Sequence, residues 1–371
     1  MYLKIITNRH NLFRKRLKQL LLYYLKKRGV KRMWHHHFER QYELNSQFKK
    51  RIAKEIEKEY ISRWRYFDKK IDCSTLRIAE KVSGISNPIM VPQTVFQADI
   101  EPSLNSTPEA GYLSFKSIYN HWFPNNTFPK SFLHNIDGAW LDYGLNYISL
   151  DEAVKILKTL EYPVVVKPNR DSYGGKGILF PKGYEEVLPI LNNMNNFLIQ
   201  EKIKQHPALA VYHPNSLNTV RVYVYRSVKE NSINIINTTF RMGLGNTLVD
   251  NITSGGIMAK VDEIGNICGF ALDPKRNRKY YQHPDTGIAF NSQLPDWDKL
   301  RVLSIKTAQK VLYTRLVGLD ACYDIDGNWR MIEINLFNSS VRLSQNFGEP
   351  FFGKFSDEVY SYCKDYHWAL K

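Results

Sequence analysis

The stretch VVVKPNRDSYGGKGILF, Val164 to Phe180, joins two apolar runs through a polar turn with two lysines and three glycines. A tight hairpin needs neither that length nor a second lysine. Lys167 closes a β-branched run that reads as a buried strand, where an uncompensated ammonium is costly. Ser172 to Gly177 offers several backbone N–H groups with little side-chain obstruction, which suits cradling a phosphate. Neither the P-loop pattern nor the Rossmann fingerprint is present. The stretch is therefore either a phosphate-binding turn of another kind or a long surface turn, and the rest of the chain has to decide.

Further along, GLDACYDIDGNWRMIEIN places Asp320 at the start of one strand and Glu333 and Asn335 on the next. Glu333 and Asn335 are two apart and share a face. A hairpin turning at Asp326-Gly327 brings Asp320 towards that face. Hard oxygen donors grouped this way suit Mg²⁺, which takes one or two carboxylates plus substrate phosphates. Ordinary polar residues of an edge strand are the alternative. The lysine–glycine turn upstream favours the metal.

The 371 residues are 43% hydrophobic and 13% aromatic, which suits two or three domains, or one elaborate domain with an extension, and is not a disordered composition. The net charge of +16 is uneven: residues 1–70 carry +15 and the remainder +1. The basic character thus belongs to an N-terminal arm. Four scattered cysteines with no CxxC pair fit a reducing compartment rather than a disulfide framework or zinc site. The run LLLYYL, Leu20 to Leu25, is far short of the roughly 20 residues a bilayer span needs, and no signal-peptide pattern accompanies it.

Helical spacing of Leu12, Phe13, Leu17, Leu20, Leu21 and Tyr24 among basic residues predicts a helix stopping near Gly29, and a second, polar helix is expected over about Phe38 to Phe67. A basic amphipathic arm suits an anionic membrane surface, and equally suits packing on its own protein. Nucleic acid is the weaker reading, because no nucleic-acid motif accompanies the charge. His35 to His37 are consecutive and cannot all face one ion on a helix. Pro- and Ser-rich text over residues 84–112 reads as irregular connections. Then helices and strands alternate: a helix after Ser149 with a Ser149–Glu152 capping box, strands at Val164–Lys167 and Ile178–Phe180, long alternating strands, and an amphipathic helix from Trp297 through Gly318. The class is α+β with largely antiparallel pairs.

The order VVVKP…SYGGKGI, LIQEKI, LNTVRVYVYR, TTFRMGLG…VDNITSGGIMAKVD, VGLDACYDIDGNWRMIEIN resembles the ATP-grasp superfamily, and HPNSLNTVRV followed by DNITSGGI resembles its sugar-transfer-associated branch, over roughly residues 85–350. The resemblance implies two α+β subdomains gripping ATP over 85–371, with a basic helical extension over 1–84. It implies that Lys116 and Lys167 contact phosphates, that Ser172, Gly174, Gly175, Lys176 and Gly177 form a lid, and that Gln200, Glu201, Lys202 and Ile203 line the adenine. It gives Asp320, Glu333 and Asn335 to one or two Mg²⁺ ions, with Mn²⁺ able to replace them. It gives Arg221 and Arg241, joined by Asn218, to the transferring phosphoryl group. The acid that usually holds the ribose is missing from KQHPALAVYHP, leaving Gln205 or His206 as substitutes. The implied reaction is ATP-dependent ligation of a carboxylate to an amine through an acyl phosphate, on a sugar or glycan precursor of capsule or exopolysaccharide. A phosphotransferase, or a non-catalytic binding protein using the basic arm, are the competing readings. The expected place is the cytoplasm or the inner membrane face, with an anionic membrane or a glycosyltransferase as partner of residues 1–70.

Overall fold

The computed structural model describes residues 1–170, 175–276 and 278–371. Two antiparallel sheets carry the chain. The smaller is built from β1 (Ser131–Ile136), β2 (Ala139–Leu141), β3 (Tyr147–Ile148), β4 (Val164–Pro168) and β5 (Phe197–Glu201), in the order β3-β2-β1-β5-β4. The helices interspersed with them, Leu150–Thr159 and Tyr184–Asn193, cover one face. The first starts as expected: Ser149 accepts from the Glu152 N–H, and the Glu152 carboxylate accepts from the Ser149 N–H at 2.7 Å. Val164 and Val166 point into that core with Leu133 and Ile199, so period-two alternation sends Val165 and Lys167 to the opposite face. β4 also bonds to the return of the glycine turn, Val166 and Leu179 exchanging N–H···O bonds of 3.0 and 2.9 Å. The expected strand Ile178–Phe180 is reduced to this single bridge.

The larger sheet is built from β6 (Thr219–Arg226), β7 (Ile233–Met242), β8 (Ile257–Val261), β9 (Ile267–Asp273), β10 (Arg278–Tyr280), β11 (Leu316–Tyr323) and β12 (Trp329–Asn335), in the order β10-β9-β8-β7-β6-β11-β12. Val220, Val222, Phe240, Leu319 and Met331 pack one face against the helix Trp297–Lys310 through its Leu300 and Ala308. That helix is shorter than the sequence suggests. The chain leaves it at Val311, turns through Tyr313 in the left-handed region (φ 63°), and Leu316 to Tyr323 enter the sheet as a wholly buried strand. An apolar run with a helical neighbour reads as helix, whereas pairing on both edges makes it strand.

The basic N-terminal region departs most from expectation. One helix runs unbroken from Phe13 to Leu44, straight through Gly29, and a shorter one follows over Lys54–Trp64. The long helix docks along Tyr23, Lys27, Trp34, Phe38 and Gln41. Asp99, fully buried, accepts from Tyr23 Oη at 2.7 Å and from Lys27 Nζ at 3.0 Å, with His367 Nε2 at 3.1 Å. Burial penalises both charges of the Lys27–Asp99 pair, yet mutual attraction, with Asp68 3.2 Å from Lys27, holds the lysine pKa up and the aspartate pKa down. Trp34 Nε1 donates to Gln97 Oε1 at 2.7 Å. A continuous core links Tyr60 and Trp64 through Phe96 and Ile100 to Tyr225, Leu316 and Val359. Packing therefore does not break at residue 84: the helical region and the C-terminal helix Ser356–Asp365 form one layer with the large sheet.

Removing one member of a buried pair leaves the other charge uncompensated. Lys27→Met is expected to lower the unfolding free energy by roughly 3–5 kcal/mol, and Lys27→Met/Asp99→Asn to recover part of it. Urea unfolding followed by tryptophan fluorescence measures both.

Candidate functional site

The charged residues gather because register aligns them. Asp320 on β11 lies opposite Glu333 on β12 and opposite Arg221 on β6, and Thr219 on β6 lies opposite Arg241 on β7. Directly opposed residues share a face, so the face not covered by the Trp297–Lys310 helix carries Glu333, Asp320, Arg221 and Arg241 in a row.

Asp320 is the centre of the row. Arg221 engages both its oxygens, Nε on Oδ1 and Nη2 on Oδ2 at 2.8 Å, while Arg241 Nη2 reaches Oδ1 at 2.8 Å. Burial alone would raise the Asp320 pKa; Arg221 and Arg241 outweigh it and hold it at about 2. Arg241 is steadied from its other side by Thr219 Oγ1, 3.0 Å from Nη2. Thr219 in turn donates its N–H (3.0 Å) and its hydroxyl to Asp250 Oδ2. Asp250 thus positions Arg241 through Thr219, and its Oδ2 also stands 3.8 Å from Arg241 Nε. Gly256 permits this: a Cβ there would lie 2.3 Å from the Asp250 carbonyl oxygen, while Gly255 takes a left-handed turn at φ 102°. Gly318 serves the same face, since its Cβ would meet the Tyr223 ring at 3.1 Å, and Tyr223 Oη stands 3.4 Å from Arg221 Nη1.

Two lysines approach this row, Lys167 from β4 and Lys116 from the 3-10 turn Lys116–Ile118 that precedes β1. Lys116 Nζ pairs with Glu333 Oε1 at 2.8 Å. Lys167, on the non-core face of β4, is 5% exposed, and among the described residues it has no carboxylate within ion-pair distance. Burial, helped by Lys116 and opposed by Glu333, lowers its pKa to about 7. Lys116, Lys167, Ser131, Leu198, Gln200 and Ile332 line a small pocket between the sheets. Asn169, which the sequence reading missed, ties the two lysine segments together. Its carbonyl accepts from the Lys116 N–H at 2.9 Å, its Oδ1 accepts from Ser117, and its Nδ2 donates to Asn135 O at 3.2 Å. Nothing local in the sequence signals a contact across some fifty residues.

The segment between the sheets is pinned to the β11–β12 hairpin. Glu201 accepts from Lys130 N at 2.7 Å and pairs with Arg330 at 2.8 Å; His206 N donates to Tyr323 O at 3.0 Å. Glu201 is therefore a structural tie as well as a candidate for adenine. Gln200 is buried, Ile203 half-buried and Lys202 exposed, with its ammonium 5.7 Å from the Phe180 ring centroid, so the returning arm of the glycine turn lies beside this segment. Gly175 and Gly177 are left-handed (φ 76° and 78°), and a Cβ on Gly175 would meet Asn251 Nδ2 at 2.8 Å, so the turn reaches the loop that positions Arg241. Lys176 is exposed. Ser172 and Gly174 lie outside the described residues.

Asn218 is placed differently from its expected role beside the arginines. Its Nδ2 donates to Gln205 Oε1 (2.9 Å), Leu209 O (2.9 Å) and His213 O (3.0 Å), which fixes the 205–218 loop. Gln205 returns the bond, Nε2 to Asn218 O at 2.8 Å, and so is engaged away from any ribose. Both are positioning residues in this geometry. For Mg²⁺, Glu333 and Asn335 are the more open donors, since Asp320 already accepts from two guanidiniums and would be shared with them. The donor set is hard oxygen from two carboxylates and one carboxamide, which fits the ion's preference. Among the described residues no three His, Cys, Asp or Glu side chains converge on a point.

The sugar-transfer associated ATP-grasp family model matches residues 97–346. The chain belongs to this ATP-grasp family. Among curated proteins none matches the sequence. Solved structures similar to it include the biotin carboxylase domain of Hydrogenobacter thermophilus 2-oxoglutarate carboxylase with MgADP, ADP and bicarbonate, at 14% identity and TM-score 0.38, covering 61% of this chain and 40% of that one. The ATP-grasp ligase PsnB with a phosphomimetic precursor variant, Mg and ADP matches at 14% and TM-score 0.42, covering 70% and 61%. The L-amino acid ligase from Bacillus licheniformis matches at 12% and TM-score 0.37, covering 64% and 47%. This ATP-grasp chain thus spans less than two thirds of the length of each. These likenesses are distant, and the assignment rests on the family match.

A polyphosphate beside Lys167 would restore its positive charge. Binding of a Mg²⁺–ATP analogue is therefore expected to take up a proton at mildly alkaline pH, and to weaken as pH rises above about 7. Calorimetry in two buffers of different ionisation enthalpy reads the uptake, which Lys167→Met should abolish.

Proposed function

We propose that this ATP-grasp protein is an ADP-forming carboxylate–amine ligase that joins an amine or amino acid to the carboxylate of a sugar, such as a hexuronic acid, during cytoplasmic synthesis of a capsule, O-antigen or other exopolysaccharide. The observation that carries the reading is Lys167, buried and, among the described residues, without a carboxylate in ion-pair reach, set beside the Lys116–Glu333 pair and the Asp320 row. Such a charge is costly until an anion arrives. Lys116 and Lys167 would hold the phosphates of ATP, Gly175 to Gly177 would cover them, and Gln200 to Ile203 would line the base. Mg²⁺ at Glu333, Asn335 and Asp320 would supply charge neutralisation. Arg221 and Arg241, already oriented by Asp320, would meet the transferring group with little reorganisation.

In this reading a carboxylate oxygen of the acid attacks the γ-phosphorus while the bond to the β,γ-bridging oxygen breaks and ADP leaves. The amine then attacks the acyl carbon, phosphate departs with the C–O electron pair, and the amine proton is lost to solvent, leaving an amide. No protein nucleophile is required. Cys322 is fully buried, and burial raises its pKa far above the thiol's usual range, so it stays a neutral thiol.

A panel of uronic acids and amines, assayed for ADP release with hydroxylamine as a trap for the activated acid, tests the reading. The expected result is acid-dependent ADP formation, a hydroxamate, and losses of roughly 100-fold or more in Lys167→Ala and Glu333→Gln. Mg²⁺ with a non-hydrolysable ATP analogue at about 100 times its Kd should stabilise the wild type by roughly 2.7 kcal/mol and neither variant. A stable phosphorylated acceptor with no amide would make the protein a phosphotransferase; absence of stabilisation would remove the nucleotide site itself.

A further inference from the structure

The long helix Phe13–Leu44 is apolar on two faces, and only one is covered. Its docked face runs along Leu20, Tyr23, Lys27, Val30 and Trp34. A second stripe, Phe13, Leu17, Leu21 and Tyr24, recurs at steps of four and three and so lies along one side of the helix. These residues are 71%, 57%, 56% and 46% exposed. Leu12 at the helix start and Leu3 and Ile6 of the preceding short helix Tyr2–Thr7 are also exposed, which extends the apolar surface over the N-terminal end. Monomers seldom leave aliphatic groups contiguous on this scale in water.

Charge identifies what covers it. The first 38 residues hold eleven Lys and Arg and no Asp or Glu. Arg9, Arg14, Lys15, Lys18, Arg28 and Arg32 are exposed, and among the described residues none has an ion-pair partner. The cations that do have partners, such as Lys27, belong to the docked side. Aliphatic side chains flanked by unpaired cations match the acyl–headgroup boundary of an anionic bilayer: leucines enter the acyl region while lysine and arginine stay at the phosphates. A nucleic acid would use the cations and leave the leucines in water. No helix among the described residues is long and apolar enough to span a membrane, so the contact is with a surface.

We propose that the Phe13–Leu17–Leu21–Tyr24 stripe, with its flanking cations, is a membrane-surface face that seats the protein on anionic lipid. The inference is independent of the ligase reading, and its test needs no substrate. The full-length protein is co-sedimented with vesicles of phosphatidylcholine alone and of phosphatidylcholine mixed with phosphatidylglycerol. Wild type is expected to partition to the anionic vesicles, more weakly as salt rises, and not to the neutral ones. Leu17→Glu/Leu21→Glu should weaken partitioning at least about tenfold at low salt, and Lys15→Glu/Lys18→Glu should weaken it most at low salt. Both variants alter exposed positions, so their thermal midpoints and their stabilisation by the Mg²⁺–ATP analogue should match wild type, which separates loss of lipid binding from loss of fold. The proposal is overturned if wild type ignores anionic vesicles, or if Leu17→Glu/Leu21→Glu binds them undiminished. It is equally overturned if the stripe serves only a second copy, seen as a wild-type dimer that this variant abolishes without any vesicle binding.

Discussion

Asp320 is the interaction on which the site depends. It sits on the strand next to the sheet edge, flanked by β6 and β12, and its one carboxylate answers two guanidiniums. Arg241 also has Asp250 Oδ2 3.8 Å from its Nε, so the two guanidiniums are shared between two carboxylates. Glu333, next in register, is matched by Lys116. Because the Lys116 N–H also donates to the Asn169 carbonyl just after β4, the pair ties the large sheet to the end of that strand. Among the described residues Lys167 has no carboxylate within ion-pair distance. Burial in this cleft, with the Lys116 ammonium nearby, is what lowers the Lys167 pKa to about 7.

Backbone conformation supports the same arrangement. Gly256 lets the 250–256 loop close to 2.3 Å of where a side chain would begin, which brings Asp250 under Thr219 and fixes Arg241. Gly175 brings the glycine turn against Asn251 of that same loop. The described end of the glycine turn and the arginine-positioning loop are thus in direct contact.

Much of this was legible in the sequence where the signal is local. The capping box at Ser149, the alternation that turns Lys167 from the core, and the spacing of Glu333 and Asn335 are properties of a few consecutive residues. The errors come where tertiary pairing overrides local pattern. Gly29 does not stop its helix, because both flanks are docked, by Tyr23 and Lys27 before it and Trp34 after it. Leu316 to Leu319 continue a helical apolar pattern yet join the sheet, because β6 and β12 offer partners on both edges. Asn218 has the composition of a catalytic amide and the surroundings of a loop fastener. The roles of Asn169 and Asp250 depend on contacts across tens of residues, and no local signal carries them.

Positive charge is the property that sequence reading found most easily and interpreted least. Net charge assigns the arm to one class, but the structure divides its cations into two. Lys27 is buried, paired with Asp99 and Asp68, and serves cohesion between the long helix and the body. Arg14, Lys15 and Lys18, within four turns of it, are exposed and unpaired among the described residues. The first kind exchanges solvation for a partner within the protein and its energy is internal. The second keeps its solvation and attracts whatever anionic surface comes near. The Tyr23–Lys27–Asp99 cluster fastens the long helix to the body, and Tyr23 also reaches the carbonyl of Phe67, whose side chain belongs to the core that continues into Tyr225 and Leu316 of the large sheet.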